Sequence, residues 1–561
     1  MRKLLLAFAV CGLLAAQEKM DSATGARFRS EELEKSQIMH TLHMLTDRYG
    51  PRVTGTPGHE AAAKWVVKQL TDWGLKNARL EPWDFGHPGW SNERASAFLV
   101  SPVQENLKFE VLAWTPSTKG TVTASAIQLA PPEGPLPPPG YPLGPPESTD
   151  AAAAGGRGRG GGGGGGRGPV RLGPTKTEMD EWVKANQSKV KGKVVLVGKA
   201  AVIPVNFDPP AKRSDDERVK AQYDPNNPNA GRGRGGRGAA TPDPNRWTTA
   251  EASQQVDAML IAGGAVIRLN DAARGDGVIV AQQNRAYDPT KAIPTLILRN
   301  DDFGRVERLL ADGEDVKMEF HIVNHVYPEG KTSYNVVGEI PGTDKADEIV
   351  MLGGHLDSWH AATGATDNAI GSAIMMEAAR LIQTLGLKPR RTVRVALWSG
   401  EEEGLLGSLA YVKQHFGTAE NPKPEFARLD CYFNVDTGTG RIRGAGVFGP
   451  AEAAAVLRPV LAQYTDWGVF GVSASNSRVV AGTDSTSFNN AGLPGVGFAQ
   501  DPIEYNTLTH HTNLDTYERI IPDDVQKAAA IVAAAVWHVA NRDEMVPRFT
   551  KETMPAPVEA R

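Results

Sequence analysis

The stretch Gly353-Gly354-His355-Leu356-Asp357-Ser358-Trp359-His360 (GGHLDSWH) follows the apolar run Ile349-Val350-Met351-Leu352. The run reads as a buried strand, and the two glycines let the chain leave it tightly. A His and an Asp two residues apart then stand at the strand's carboxyl end. A plain turn would look like this, and so would half of a metal site. The neighbouring segments decide between them.

From residue 333 onward the pattern alternates strand and helix. After 349–352 comes an apolar-faced helix over 368–385, a strand over 392–398, a helix over 402–416, and strands over 432–435 and 495–498. Such alternation predicts an α/β fold with helices sandwiching a mostly parallel sheet. Ligands of these sheets gather beyond the carboxyl ends of the strands. His355 and Asp357 fall there, and so do Asp367, the run Glu401-Glu402-Glu403, Asp436 and the pair His510-His511.

Each of these has a bland reading. Asp367 suits a helix N-cap. Glu401–Glu403 at a helix start suit the helix dipole. Asp436 suits a turn with Gly438 and Gly440. His355 suits a satisfied polar group, and His510-His511 a solvated pair. All of them sharing one sheet edge is harder to assign to chance. Two divalent cations about 3.5–4 Å apart need a bridging carboxylate with His and carboxylate ligands on each side. Two His and three carboxylates meet that need without Cys.

Upstream, 36–78 reads as helix, turn, helix, with the breaker-dense turn at 49–58 and an apolar-faced helix over 60–73. From 115 to 325 short β-like runs appear at 121–124, 193–197, 265–269 and 295–298. Between them lie a Pro-rich tract (130–146) and two Gly/Arg tracts (155–168 and 231–238). These cannot bury a core and are expected to be disordered surface loops, within 130–170 and 225–245. No aromatics interleave with their arginines, so a nucleic-acid-binding role is not expected.

The 561 residues exceed one ordinary domain, and a net charge of −4 gives no sign of a general polyanion binder. Met1-Arg2-Lys3, the apolar 4–14 and Ala15-Ala16 have the layout of a secretory signal peptide over 1–16. Its apolar run is too short to span a bilayer, and no other segment is long and apolar enough. The expected location is therefore secreted or periplasmic, without stable membrane insertion. Phe8-Ala9-Val10 is a poor lipidation context for Cys11. Removing the signal leaves Cys431 alone, so no internal disulfide is expected.

The motifs together resemble a known family. GGHLDSW (353–359), GATDNAIGSA (364–373), SGEEEGLLGS (399–408), NVD (434–436), GTDSTSFNNAGLPGVGF (482–498) and HHTNLDT (510–516) are similar to those of the co-catalytic di-zinc exopeptidases. This family includes enzymes of the aminopeptidase Y and glutamate carboxypeptidase type, and GGHLDSW resembles its carboxypeptidase Q-like branch. The likeness runs over roughly 333–540 and again around GPRVTGTPG (50–58). It implies a zinc-exopeptidase, phosphorylase/hydrolase-like fold. It also implies a peptidase domain split into 17–114 and 326–545, a β-rich protease-associated domain inserted over 115–325, and a tail over 546–561.

The resemblance also implies roles. His355 and Asp436 would hold one zinc, Glu402 and His511 the other, and Asp367 would bridge the two. Asp357 would orient His355, and Glu401 would be the general base. Gly404, Gly407 and Ser408 fix the register that selects Glu401 and Glu402 over Glu403. The family pattern His-[Ser/Thr]-x-x-[Asp/Glu]-Thr selects His511 over His510. His510, Tyr505 and Asn368 remain candidates for substrate contact. The substrate would be a dipeptide or short peptide, and a homodimer is a family-level expectation. A metal-free receptor or scaffold of the same fold, as the transferrin receptor ectodomain is, and a di-zinc amidohydrolase acting on a non-peptide amide are the alternatives.

Overall fold

The computed structural model describes residues 21–137, 172–205, 207, 212–224, 243–284, 286–478 and 482–557. The expected signal segment with Cys11, both Gly/Arg tracts and most of the Pro-rich tract lie outside the described residues. Cys431 is buried and unpaired.

The site's platform is an eight-stranded sheet. Its centre is Lys345–His355, flanked by Arg391–Trp398 and Leu429–Asn434, with Gly495–Gln500 next, and all these neighbours run parallel. Antiparallel pairs lie outside this centre, at Thr332–Ile340 on one side and Ile442–Phe448 on the other. Residues 349–355 are buried, which suits a parallel strand covered on both faces. One face packs against the helices Pro57–Asp72, Ile370–Thr384, Ala451–Ala462 and Pro522–Asn541. Leu406–His415 and Ser485–Ala491 cover the other. The α/β sandwich expected from the alternating pattern is what forms.

A second eight-stranded sheet stands beside it. It begins earlier than the sequence reading places it, with strand Gly89–Ser101 rather than at 115, and ends with Lys317–Tyr327. Lys76–Asp84 still pairs with Thr332–Ile340 of the first sheet, whereas Gly89 already pairs with Tyr327 of the second. The chain thus changes sheets within a few residues, twice, at one place. Strand Gly89–Ser101 is half-exposed and carries Asn92, Glu93 and Arg94, so it lacks the apolar signature of a strand.

Three glycines make that crossing. A Cβ on Gly89 or Gly330 would overlap the carbonyl oxygen of Gly55. Gly55 itself has φ +76, a conformation that glycine adopts without penalty. Two further contacts join the sheets. Arg213 pairs with Asp524 and, at 3.2 Å, with Asp501. Residues 277–284 lie along the 510–515 loop, with Asn513 N donating to Ile279 O at 3.0 Å.

Candidate metal centre

The carboxyl end of Lys345–His355 delivers His355 into a fully buried position. The loop that follows is held by Arg52, whose side chain is also fully buried. Its Nε donates to Leu356 O at 2.5 Å, Nη1 to Leu45 O at 2.7 Å and Thr363 O at 2.9 Å, and Nη2 to Gly364 O at 3.0 Å. One guanidinium therefore ties the stretch after His355 to the stretch before Asp367. Burial pushes its pKa down to about 10, against the pull of Asp515, Asp357 and other carboxylates nearby.

Asp367 does not cap a helix. The helix Ile370–Thr384 starts beyond it, and Asp367 has extended φ −135 and ψ 88. Its N–H and that of Thr366 donate to the Asp515 carboxylate at 3.1 and 2.6 Å. This presents the Asp367 side chain to two histidines. Oδ1 lies 3.3 Å from His355 Nε2, and Oδ2 lies 3.2 Å from His511 Nε2. Asp436 Oδ1 is 3.4 Å from His355 Nε2 on the first side. Glu402 Oε2 is 2.9 Å from His511 Nε2 on the second.

The three glutamates do not start a helix. The helix over Leu406–His415 begins later than the expected 402, because Gly404 (φ +118) and Leu405 (φ +63) turn the chain first. The turn is anchored on Asp357, which accepts from Glu402 N at 3.2 Å and Thr54 Oγ1 at 3.2 Å. Asp357 also faces His355, with its backbone oxygen 3.1 Å and its Oδ1 3.6 Å from Nδ1. Glu401 Oε2 stands 3.9 Å from His355 Nε2. Burial pushes the Glu401 carboxyl well up, aided by Asp436 and Asp484, and pushes Glu402 to about 8. His355 and His511 are raised in spite of burial, because carboxylates surround them.

The donor set fits divalent cations. His355 Nε2, Asp367 Oδ2, Glu402 Oε2 and Asp436 Oδ1 are buried with no hydrogen-bond partner. The His511–Glu402 contact is short but not aligned as a hydrogen bond. Buried polar atoms normally have partners, and orphans in one cluster require an explanation. Here lone pairs converge on lone pairs, as around metal ions. Asp484 adds another buried carboxylate with no hydrogen bond to either oxygen, its pKa pushed up to about 8 by burial.

Of the substrate candidates, His510 reaches the cluster, with Nε2 3.7 Å from Asp367 Oδ2 and its ring 4.8 Å from that of Tyr505. Tyr505 feels the charges of Asp367 and Asp436 and is itself close by. Asn368 is held differently. It is fully buried, donates to Val435 O at 2.9 Å and accepts from Gly371 N at 3.0 Å, so it braces the loop. His360, to which sequence assigns no role, contacts Val111 O at 2.6 Å in the second sheet.

Sequence reading misses Arg52, Asp515, Asp484 and Gln282. Gln282 comes from the second sheet's side, with its amide Nε2 2.8 Å from His511 Nδ1; turning the amide over puts its oxygen there. A glutamine amide can present its oxygen at that point, accept Nδ1–H and leave Nε2 free as a ligand. Such partners of ligating histidines are worth about 10- to 100-fold in metal affinity. A Gln282→Ala protein should show that loss in competition with a chromogenic chelator. Unchanged affinity would remove Gln282 from the role.

Residues 335–536 match the model of Peptidase family M28. The chain is 31% identical to mouse carboxypeptidase Q over 261 residues, 46% of this chain and 53% of the mouse protein. It is 27% identical to leupeptin-inactivating enzyme 1 of Streptomyces exfoliatus over 226 residues, 37% of this chain and 49% of that one. The chain thus spans about half the length of the curated relatives it matches. Its fold is like that of a peptidase M28 precursor from Shewanella amazonensis, with TM-score 0.61 and 22% identity, covering 94% of this chain and 99% of that one. It is also like that of a zinc aminopeptidase from Bacillus subtilis, with TM-score 0.52 and 18% identity, covering 92% and 97%. The segment 335–536 is thus similar to peptidase family M28, and part of the chain is similar to carboxypeptidase Q.

Proposed function

We propose that the protein is an exported di-zinc exopeptidase that hydrolyses dipeptides or short peptides. The observation that carries this reading is the pair of half-sites sharing Asp367, His355–Asp436 on one oxygen and His511–Glu402 on the other. His355 and Asp436 would hold one ion, His511 and Glu402 the second, and Asp367 both. Bound there, two zinc ions supply Lewis acidity and lower the pKa of water towards about 7.

The chain's own residues do the rest. Glu401, 3.9 Å from His355 Nε2 and not among the bridging groups, takes a proton from the attacking water at its carboxylate and returns it to the leaving amine. Asp357 holds His355 and the Glu401–Glu402 turn in one register. Arg52 and Asp515 fix the two loops that carry His355 and Asp367. Tyr505 and His510, whose rings lie 4.8 Å apart beside Asp367, would hydrogen-bond the substrate carbonyl as it gains charge. The second sheet closes one side of the cleft through residues 277–284, consistent with an inserted protease-associated domain.

The test is metal analysis combined with a panel of dipeptides and blocked peptides, with and without chelator. Two zinc ions per chain and hydrolysis abolished by chelator and restored by zinc are expected. Absence of bound metal would favour the scaffold reading. Metal with hydrolysis only of non-peptide amides would favour the amidohydrolase.

A further inference from the structure

Tyr505 stands at the end of a strained approach. Ile503 (φ +32) and Glu504 (φ +63), just before it, hold left-handed conformations. Non-glycine residues adopt these at a cost, and they persist where the surroundings enforce them. Here a distant part of the chain does so. Residues Lys212, Arg213 and Ser214 lie between the second-sheet strand Val194–Val197 and the helix Asp216–Tyr223. They meet 501–504 almost residue by residue. Ser214 N donates to Asp501 Oδ1 at 2.9 Å, and Arg213 Nη1 to Asp501 Oδ2 at 3.2 Å. Ile503 N donates to Lys212 O at 3.1 Å, and Lys212 Nζ is 3.5 Å from the Glu504 carboxylate.

Arg213 also reaches further. Its Nη1 pairs with Asp524 Oδ2, and its Nη2 donates to Asp524 Oδ1 at 3.2 Å. Asp524 stands in the first turn of the helix Pro522–Asn541, which packs against the first sheet. One guanidinium thus fastens the approach to Tyr505 onto a fixed helix. Exposed ion pairs contribute little, but both of these carboxylates are buried, and two parallel bonds to Asp524 fix the direction of the fork. The helix that follows is docked as well. Arg443 pairs with Asp216, and a Cβ on Gly444 would lie 2.4 Å from Tyr223 Cζ. On the other side of the approach, a Cβ on Gly438 would lie 2.9 Å from Tyr505 Cδ2, so the ring rests on the loop that follows Asp436. A shift of 501–504 would lift it from there.

We infer that Arg213 is a positioning residue for the reaction: by tying Asp501 to Asp524 it holds 501–504, and through them Tyr505, against the metal centre. The inference rests on the reading of Tyr505 as a substrate contact given above. Removing Arg213 strands no buried charge. Asp501 keeps Ser214 N and Arg441 Nε, the latter at 2.9 Å, and Asp524 keeps Arg441 N at 3.1 Å. The approach is loosened while its carboxylates stay satisfied.

The experiment is a double-mutant cycle on the zinc-loaded protein, with Arg213→Ala, Tyr505→Phe and the two combined, read as kcat on one dipeptide. Arg213→Ala alone should lower kcat about 10- to 100-fold. In the Tyr505→Phe background it should cost less than about 2-fold, because the group it positions is already gone. An equal loss in both backgrounds would overturn the inference, since a merely structural role acts regardless of Tyr505. Wild-type kcat in either single variant would overturn it too. Hydrogen exchange gives a readout without turnover. Backbone amides of 501–510 should exchange faster in Arg213→Ala, and those of 370–384 at the wild-type rate. Unchanged exchange over 501–510 would remove the clamp. Should Arg213→Ala not fold, Arg213→Lys, which keeps the charge and loses the fork, carries both measurements. If the wild type hydrolyses no peptide, the peptidase reading fails. Exchange then decides the clamp alone, faster exchange supporting it and unchanged exchange ending it.

Discussion

A Glu401→Ala protein should bind zinc at the wild-type stoichiometry yet hydrolyse a dipeptide about 10²- to 10⁴-fold more slowly. The separation of the two effects follows from geometry. Glu401 Oε2 stands 3.9 Å from His355 Nε2, farther than the 3.3 and 3.4 Å of Asp367 and Asp436. Its backbone N–H, not its side chain, faces Asp357, so truncation leaves the turn and Glu402 in place. Metal content by plasma emission and kcat on one dipeptide check this together. Turnover close to wild type would remove Glu401 as the base, and loss of metal would make it a ligand instead.

The second large effect is expected at Arg52. Arg52→Met is close in length but leaves four carbonyl oxygens, those of Leu45, Leu356, Thr363 and Gly364, without their donor. Each buried unsatisfied group costs about 1–3 kcal/mol. Some relaxation towards water lowers the sum, so the loss is on the order of 4 kcal/mol. In a domain of this size that corresponds to a fall of about 10 °C in Tm. Arg52→Lys should recover little of it, because one ammonium on a flexible stem cannot reach carbonyls on three segments. A melting temperature within about 2 °C of wild type would show that the loops hold themselves.

The chain shows some of these features in its sequence and not others, for physical reasons. Motif residues at strand ends, His355, Asp367, Glu401, Glu402 and Asp436, are legible because a buried strand followed by glycine and a charged group is a rare juxtaposition. The choice of His511 over His510 needed family spacing, and both rings in fact crowd Asp367. Arg52 looks like one more polar residue in a turn, since its partners are backbone carbonyls that leave no trace in sequence. Gln282 is 229 residues from His511 and meets it only because two sheets face each other. Strand Gly89–Ser101 escaped because half-exposed strands tolerate charge, whereas the fully buried 349–355 could not.

The glycine crossing at Gly55, Gly89 and Gly330 bears on how such a chain can change over evolutionary time. Entry to and exit from the second sheet are register partners, Gly89 with Tyr327, so everything between them hangs from one doorway. Residues added or removed beyond that doorway lengthen a loop whose ends are already pinned, and closure entropy grows only slowly with loop length. The doorway itself has no room for a side chain. A lineage can therefore enlarge or trim the second sheet's loops freely, while the three glycines hold fixed the angle at which that sheet meets the metal centre.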